Sequence, residues 1–149
     1  MSQIKHPREK VERIEYDLRK ISGIIKQKGR EILNNFPITP PQFIALQWLN
    51  EEGDMTIGEL SNKMYLAFST TTDLIDRMEK SNLVERVRDK KDRRVIQIHL
   101  LTEGRKIIED VLDRRRDYLT DIFLEMEEEQ VNDIEKALNL LFVAMDKDI

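Results

Sequence analysis

The sequence predicts a mainly α fold interrupted once by a small β-hairpin. Two observations carry this. Apolar residues recur at spacings of three, four and seven up to about residue 80, and again from residue 102 onward, as one face of successive helices requires. Only between Leu83 and Leu100 does the period fall to two, on either side of six consecutive charged residues, Asp89 to Arg94.

Taken in order, Val11, Ile14, Leu18, Ile21, Ile25 and Ile32 form one stripe of a helix from about Pro7 to Asn34, expected to bend or weaken at Gly23 and Gly29. Thr39 then caps a helix with Pro40 at its first position and Phe43, Leu46 and Leu49 facing inward; Gly53-Asp54 ends it. Thr56 and Glu59 have capping-box spacing and open a short helix through Leu60 and Met64. The next helix starts at Ser69 or a close neighbour, runs to about Lys80, and carries the stripe Thr71, Leu74, Ile75 and Met78. Leu83–Arg88 and Val95–Leu100 read as strands, the second with Ile96, Ile98 and Leu100 on one face. Thr102 caps a long helix carrying Ile108, Val111, Leu112, Leu119, Ile122 and Met126. After the acidic run Glu127–Glu129 comes a last helix with Val131, Ile134, Leu138, Leu141 and Met145 at heptad-like spacing.

Composition narrows the function. The chain has 149 residues, 40% of them hydrophobic, which is one domain's worth with a core that needs neither disulfides nor metal. It contains no cysteine, which excludes a thiolate zinc site, an iron–sulfur cluster, a cysteine nucleophile and a peroxide-sensing thiol. The two histidines, His6 and His99, offer little to a metal; a lone histidine on the polar face of a strand is ordinarily solvated. The longest apolar run, Leu140 to Met145, is far too short to cross a bilayer, and the start of the chain is polar. The expectation is a soluble, cytoplasmic protein with no cofactor and no membrane partner. No serine–histidine–acid set, glycine-rich phosphate loop or paired catalytic carboxylates mark an enzyme.

Charge is informative by segment. The total of −4 argues against nucleic acid, yet from Arg77 to Arg94 eight basic residues face four acidic ones, a local +4. From Asp117 to the end, ten acids face two bases. Binding to phosphate follows the local field. The basic stretch directly follows two short helices joined by a tight turn at Tyr65–Phe68, so residues 56–100 read as a helix-turn-helix with a charged wing. A helix entering the major groove needs an outward face that is small and hydrogen-bonding. The outward positions here are Ser69, Thr70, Thr72, Asp73, Asp76 and Arg77, and all four residues from 69 to 72 carry hydroxyls. Lys90, Lys91, Arg93 and Arg94 sit at the hairpin tip, where arginine can enter a narrow minor groove and lysine can meet phosphate. Asp73, Asp76, Asp89 and Asp92 oppose this unless paired. Asp92 is expected to orient Arg94 or Arg93, and Asp76 to pair with Arg77 or a wing residue.

The run LAFSTTTDLIDRMEKSNLVERVRDKKDRRVIQIHLLTEG resembles the recognition helix and wing of MarR-type transcriptional regulators. The parts that carry the likeness are Asp76-Arg77, Leu83-Val84, Asp92 to Arg94, Leu101-Thr102 and, in the preceding helix, Thr56 to Leu60. The resemblance implies a winged helix-turn-helix homodimer on double-stranded DNA with a roughly palindromic operator. Ser69, Thr70, Thr72, Asp73 and Arg77 would touch DNA from the helix. Arg88, Lys90, Lys91, Arg93 and Arg94 would do so from the wing, Arg94 in the minor groove, with Asp76 and Asp92 as orienting residues. Asn82 stands where the family usually has glycine, and asparagine tolerates the left-handed conformation such a turn needs.

Residues 36–102 would then be the DNA-binding region of a single domain spanning 1–149, with residues 1–35 and 103–149 as dimerisation helices. The last helix argues independently for a partner: ALNLLFVAM, residues 137–145, has one polar side chain, Asn139. A helix apolar all round must be covered on more than one side. The family likeness also implies release by a small lipophilic or phenolic effector, for which Phe36, Phe43, Trp48, Met64, Tyr65 and Tyr118 are candidate lining residues; plain core is the competing reading of the same side chains. A repressor is the leading expectation. The alternative is a winged-helix protein-interaction module that uses the same head on an acidic partner, without sequence-selective DNA binding.

Overall fold

The computed structural model describes residues 6–147, so positions 1–5 and 148–149 of the expected domain lie outside the described residues. The elements are α1 (Arg8–Leu33), α2 (Pro40–Glu52), α3 (Ile57–Met64), α4 (Phe68–Lys80), β1 (Val84–Arg88), β2 (Ile96–Leu100), α5 (Thr102–Phe123) and α6 (Glu128–Asp146). This is the helical order with one hairpin that the periodicity indicates. The chain forms two compact units, the first ending at Leu112 and the second beginning at Asp113.

The first unit holds the core. Phe43, Leu46, Leu60, Ile75, Met78 and Ile98 are among its fully buried side chains, one set from each stripe. Thr39 closes a full capping box on α2: its Oγ1 accepts from Gln42 N at 3.4 Å, and Gln42 Oε1 accepts from Thr39 N at 3.0 Å. Thr56 makes half of one on α3. Its Oγ1 accepts from Glu59 N at 3.1 Å, while the Glu59 carboxylate takes the Thr56 hydroxyl at 3.2 Å. α1 runs unbroken through Gly23 and Gly29. It delivers Ile32 and Leu33 to the core and leaves Val11, Ile14, Ile21 and Ile25 exposed.

The hairpin is antiparallel, with Val84 opposite Leu100 and Arg88 opposite Ile96. Ile98 and Leu100 are buried, but Ile96 is exposed where the hairpin leaves the core. A second, short pairing, not expected from the sequence, ties Met55 to Ile98: Ile98 N donates to Met55 O at 2.6 Å. Thr102 is the first residue of α5 rather than its cap, and Arg105 N donates to Leu101 O. Two residues on, Gly104 sits so close to the hairpin base that a Cβ there would lie 2.5 Å from the Leu83 carbonyl oxygen. Any side chain would push α5 off the sheet.

In the second unit, Gln130 Oε1 accepts from Glu127 N at 3.0 Å and fixes the start of α6. None of the described residues of α6 is buried; Leu140 is 74% and Phe142 66% exposed. Among the described residues, no helix is long and apolar enough to cross a membrane.

Candidate nucleic-acid interface

Two left-handed residues shape the reading head. Tyr65, at the C-terminus of α3, has φ 56° and ψ 41°, and Leu66 N donates to Ser61 O at 3.0 Å, so the chain reverses within three residues and starts α4. Asn82, at φ 60°, does the same between α4 and β1. α4 begins at Phe68 with Ala67 as its cap residue, so Ser69 lies inside the first turn and does not cap.

Of the predicted outward positions, Ser69, Thr70, Asp73, Asp76 and Arg77 are exposed and Thr72 is half-buried. The four hydroxyls divide unequally. Thr71 is fully buried, and its Oγ1 donates to Ala67 O at 3.1 Å. Thr72 Oγ1 donates to Phe68 O at 3.0 Å. Ser69 and Thr70 are left as the surface hydroxyls with no side-chain hydrogen bond among the described residues. Thr70, Asp73 and Arg77 also line a cleft of about 450 Å³ with Thr39, Gln42 and Leu66.

Asp76 pairs with a residue of the wing strand. Arg86 Nη2 donates to Asp76 Oδ1 at 2.7 Å and its Nη1 to Glu79 Oε1 at 2.7 Å, while its backbone N–H donates to Glu79 Oε2 at 3.1 Å. Partial burial, the largest single influence on this guanidinium, works against its charge; the hydrogen bonds it donates to Asp76 and Glu79, with their negative charges, outweigh it and raise its pKa. One arginine thereby fixes the wing to the recognition helix and neutralises two carboxylates beside it. The sequence carried a signal for this. Arg86 is two residues from buried Val84 and opposite buried Ile98, so it occupies a core-facing strand position where a cation demands acids.

The wing tip is ordered by its own aspartates. Asp92 Oδ1 accepts from Arg94 N and Nε, both at 3.1 Å, and Oδ2 accepts from Nη2 at 3.2 Å. Those bonds, side chain first and backbone second, hold the Asp92 carboxyl below its ordinary value. The pair is therefore present above the usual carboxylate range and is lost only as pH falls through the lowered value. Arg94 remains 91% exposed, with its backbone N–H and the Nε–Nη2 edge of its guanidinium held by Asp92. Asp89 accepts from Lys91 N at 2.7 Å and from Gln97 Nε2 at 3.1 Å. Arg88 donates to the Arg93 carbonyl at 2.8 Å, so part of its guanidinium is engaged in shaping the tip. Lys90, Lys91 and Arg93 are exposed, with no ion pair among the described residues.

The candidate effector residues are dispersed. Phe43 is buried in the core, Phe36, Trp48 and Met64 pack half-buried against it, and Tyr65 stands in solvent. Lys63 lies over the Trp48 ring at 5.2 Å. Tyr118 belongs to the second unit. His99 is not simply solvated: its Nδ1 lies 2.8 Å from Asp54 Oδ1. Among the described residues, no group of three histidine, aspartate or glutamate side chains could hold a metal ion.

The MarR family model matches residues 38–96, which span α2, both helices of the head, β1 and the hairpin tip. The HTH-type transcriptional regulator YsmB of Bacillus subtilis (strain 168) is 63% identical over 132 residues, covering 89% of this chain and 90% of that one. The HTH-type transcriptional repressor MdtR of the same organism is 32% identical over 103 residues, 69% of this chain and 66% of its own. Among solved structures, a MarR family protein from Bacillus stearothermophilus superposes with a TM-score of 0.86 at 51% identity, covering 95% of this chain and 99% of that chain. With the helix-turn-helix, the clamped hairpin and these likenesses together, the chain belongs to the MarR family of DNA-binding, helix-turn-helix transcriptional regulators, which are not enzymes.

Proposed function

We propose that this protein is a repressor that binds a roughly palindromic operator as a homodimer, with α4 in the major groove and Arg94 in the adjacent minor groove. The observation that carries the reading is the state of Arg94. It is fully presented, yet its approach is fixed by three hydrogen bonds to Asp92, so little freedom remains to be lost on entering a groove. Ser69, Thr70, Thr72, Asp73 and Arg77 contact the duplex from α4, and Arg88, Lys90, Lys91 and Arg93 contact it from the wing. Asp76 and Asp92 serve to orient. Likeness to a named repressor, MdtR, supports the direction of control.

Homodimerisation completes the reading. α1 and α6 each carry apolar side chains that the single chain leaves in water, and a second copy covers them. Two heads about 34–36 Å apart then meet successive major grooves on one side of the duplex. A small lipophilic or phenolic effector releases the operator by favouring a different head spacing, since a ligand shifts only states it binds unequally.

Selection of bound sites from random duplexes tests the whole proposal: an inverted repeat is expected, and a featureless pool overturns it in favour of a protein-interaction module. On the selected site, Arg94→Ala should lose about 1–3 kcal/mol of specific binding. Lys91→Ala should weaken all sequences alike and flatten the salt dependence. Equal binding by Arg94→Ala and the parent removes the wing from the site.

A further inference from the structure

The start of the recognition helix is less polar than its run of hydroxyls indicates. Thr71 is buried, and the Thr72 hydroxyl donates its proton to the carbonyl of Phe68, which leaves Thr72 an oxygen that can only accept and a methyl as its apolar group. Phe68 itself, the first residue of α4, is 61% exposed, although its spacing from Thr71, Ile75 and Met78 would extend the buried stripe. Phe68 and Thr72 are one turn apart, so ring and methyl are neighbours on the helix surface. Among the described residues, more than half of this side chain is left in water. At this place in a head built for DNA, the N-terminal residues of the helix are those that reach base edges. The apolar group that a base pair presents in the major groove is the C5-methyl of thymine.

We infer that Phe68, with the methyl of Thr72, is a specificity-determining contact that selects thymine within each operator half-site. The contact removes apolar surface from water on both sides and needs no hydrogen bond, so it discriminates by the presence of a single methyl. It rests on the proposed DNA-binding reading and extends it: Ser69 and Thr70 supply the polar contacts of the same turn, and Phe68 supplies the apolar one.

Replacing thymine by deoxyuridine removes that methyl and leaves every hydrogen-bonding group in place, so the probe isolates the contact. Using the intact protein and its selected operator, thymines are exchanged one at a time for deoxyuridine and binding is measured by fluorescence anisotropy. One position per half-site should lose about fourfold in affinity, the worth of one buried methyl. Phe68→Ala should bind the thymine operator more weakly and lose most of its sensitivity to the exchange at that position, the remainder being due to Thr72; a merely structural role for Phe68 would lower both affinities and keep their ratio. Phe68→Leu, which retains apolar bulk, should recover part of the discrimination and guards against a folding defect in the alanine variant. If an operator is selected but no thymine exchange matters, or if Phe68→Ala keeps the parent's ratio, this inference fails while the DNA-binding reading stands. If no operator is selected at all, both fail together.

Discussion

Asn82 and Tyr65 are the two non-glycine residues with positive φ among those described, and each marks a chain reversal that the reading head cannot do without. Asparagine enters the left-handed region at less cost than most residues, because its short polar side chain can bond locally. Asn82→Ala should therefore lower stability by about 1 kcal/mol, read as a shifted denaturant midpoint at unchanged slope, whereas Asn82→Gly should leave the midpoint near the parent's. This turn was legible in the residue type itself. The fate of the hydroxyls was not. That Thr71 and Thr72 bond back to carbonyls four residues earlier is a matter of side-chain rotamer, which composition does not encode, while Ser69 and Thr70 stay free in the same turn. Phe68 escaped notice for a related reason: its spacing fits the buried stripe, and only its place at the end of the helix leaves it in water.

At the scale of elements, the hydrophobic period located the helices and strands to within a residue or two, because each buries a face of fixed periodicity; the exception is α5, which ends at Phe123 and leaves Met126, expected on its stripe, in the turn that follows. Glycine costs about 1 kcal/mol in a helix interior, but the 26 residues of continuous hydrogen bonding in α1 absorb two such penalties without a break. What periodicity could not supply was the angle between elements, and here one arginine decides. Arg86 ties β1 to Asp76 and Glu79 of α4, fixing the wing strand to the helix. Arg86→Met should cost about 1–2 kcal/mol of stability, the worth of hydrogen bonds to charged groups left unmade. It should also weaken binding to every duplex, since two carboxylates then face phosphate unpaired. Chemical unfolding and a salt-resolved binding series measure the two effects; unchanged values in both would mean that the clamp is ornamental.

For the whole molecule, the decisive fact is how little of its apolar surface one copy hides outside the head. Leu138, Leu140, Phe142, Val143 and Met145 of α6 are all exposed, as are Val11, Ile14, Ile21, Ile24 and Ile25 of α1. The all-round apolar character of residues 137–145 announced this in the sequence, but the extent of the α1 face did not follow from its stripe alone. Glutamate at both Leu138 and Phe142, one turn apart, should give a protomer that sediments as a monomer, keeps its helical circular dichroism and loses the operator. Persistence of the dimer in that variant, or a monomeric parent, would overturn the assignment. If the proposed second copy covers those faces, folding and pairing share one equilibrium, and melting temperature should climb with protein concentration. A cell that makes few molecules would then hold them less firmly against proteolysis as well as occupy fewer promoters, so expression level sets the lifetime of the regulator together with its effect.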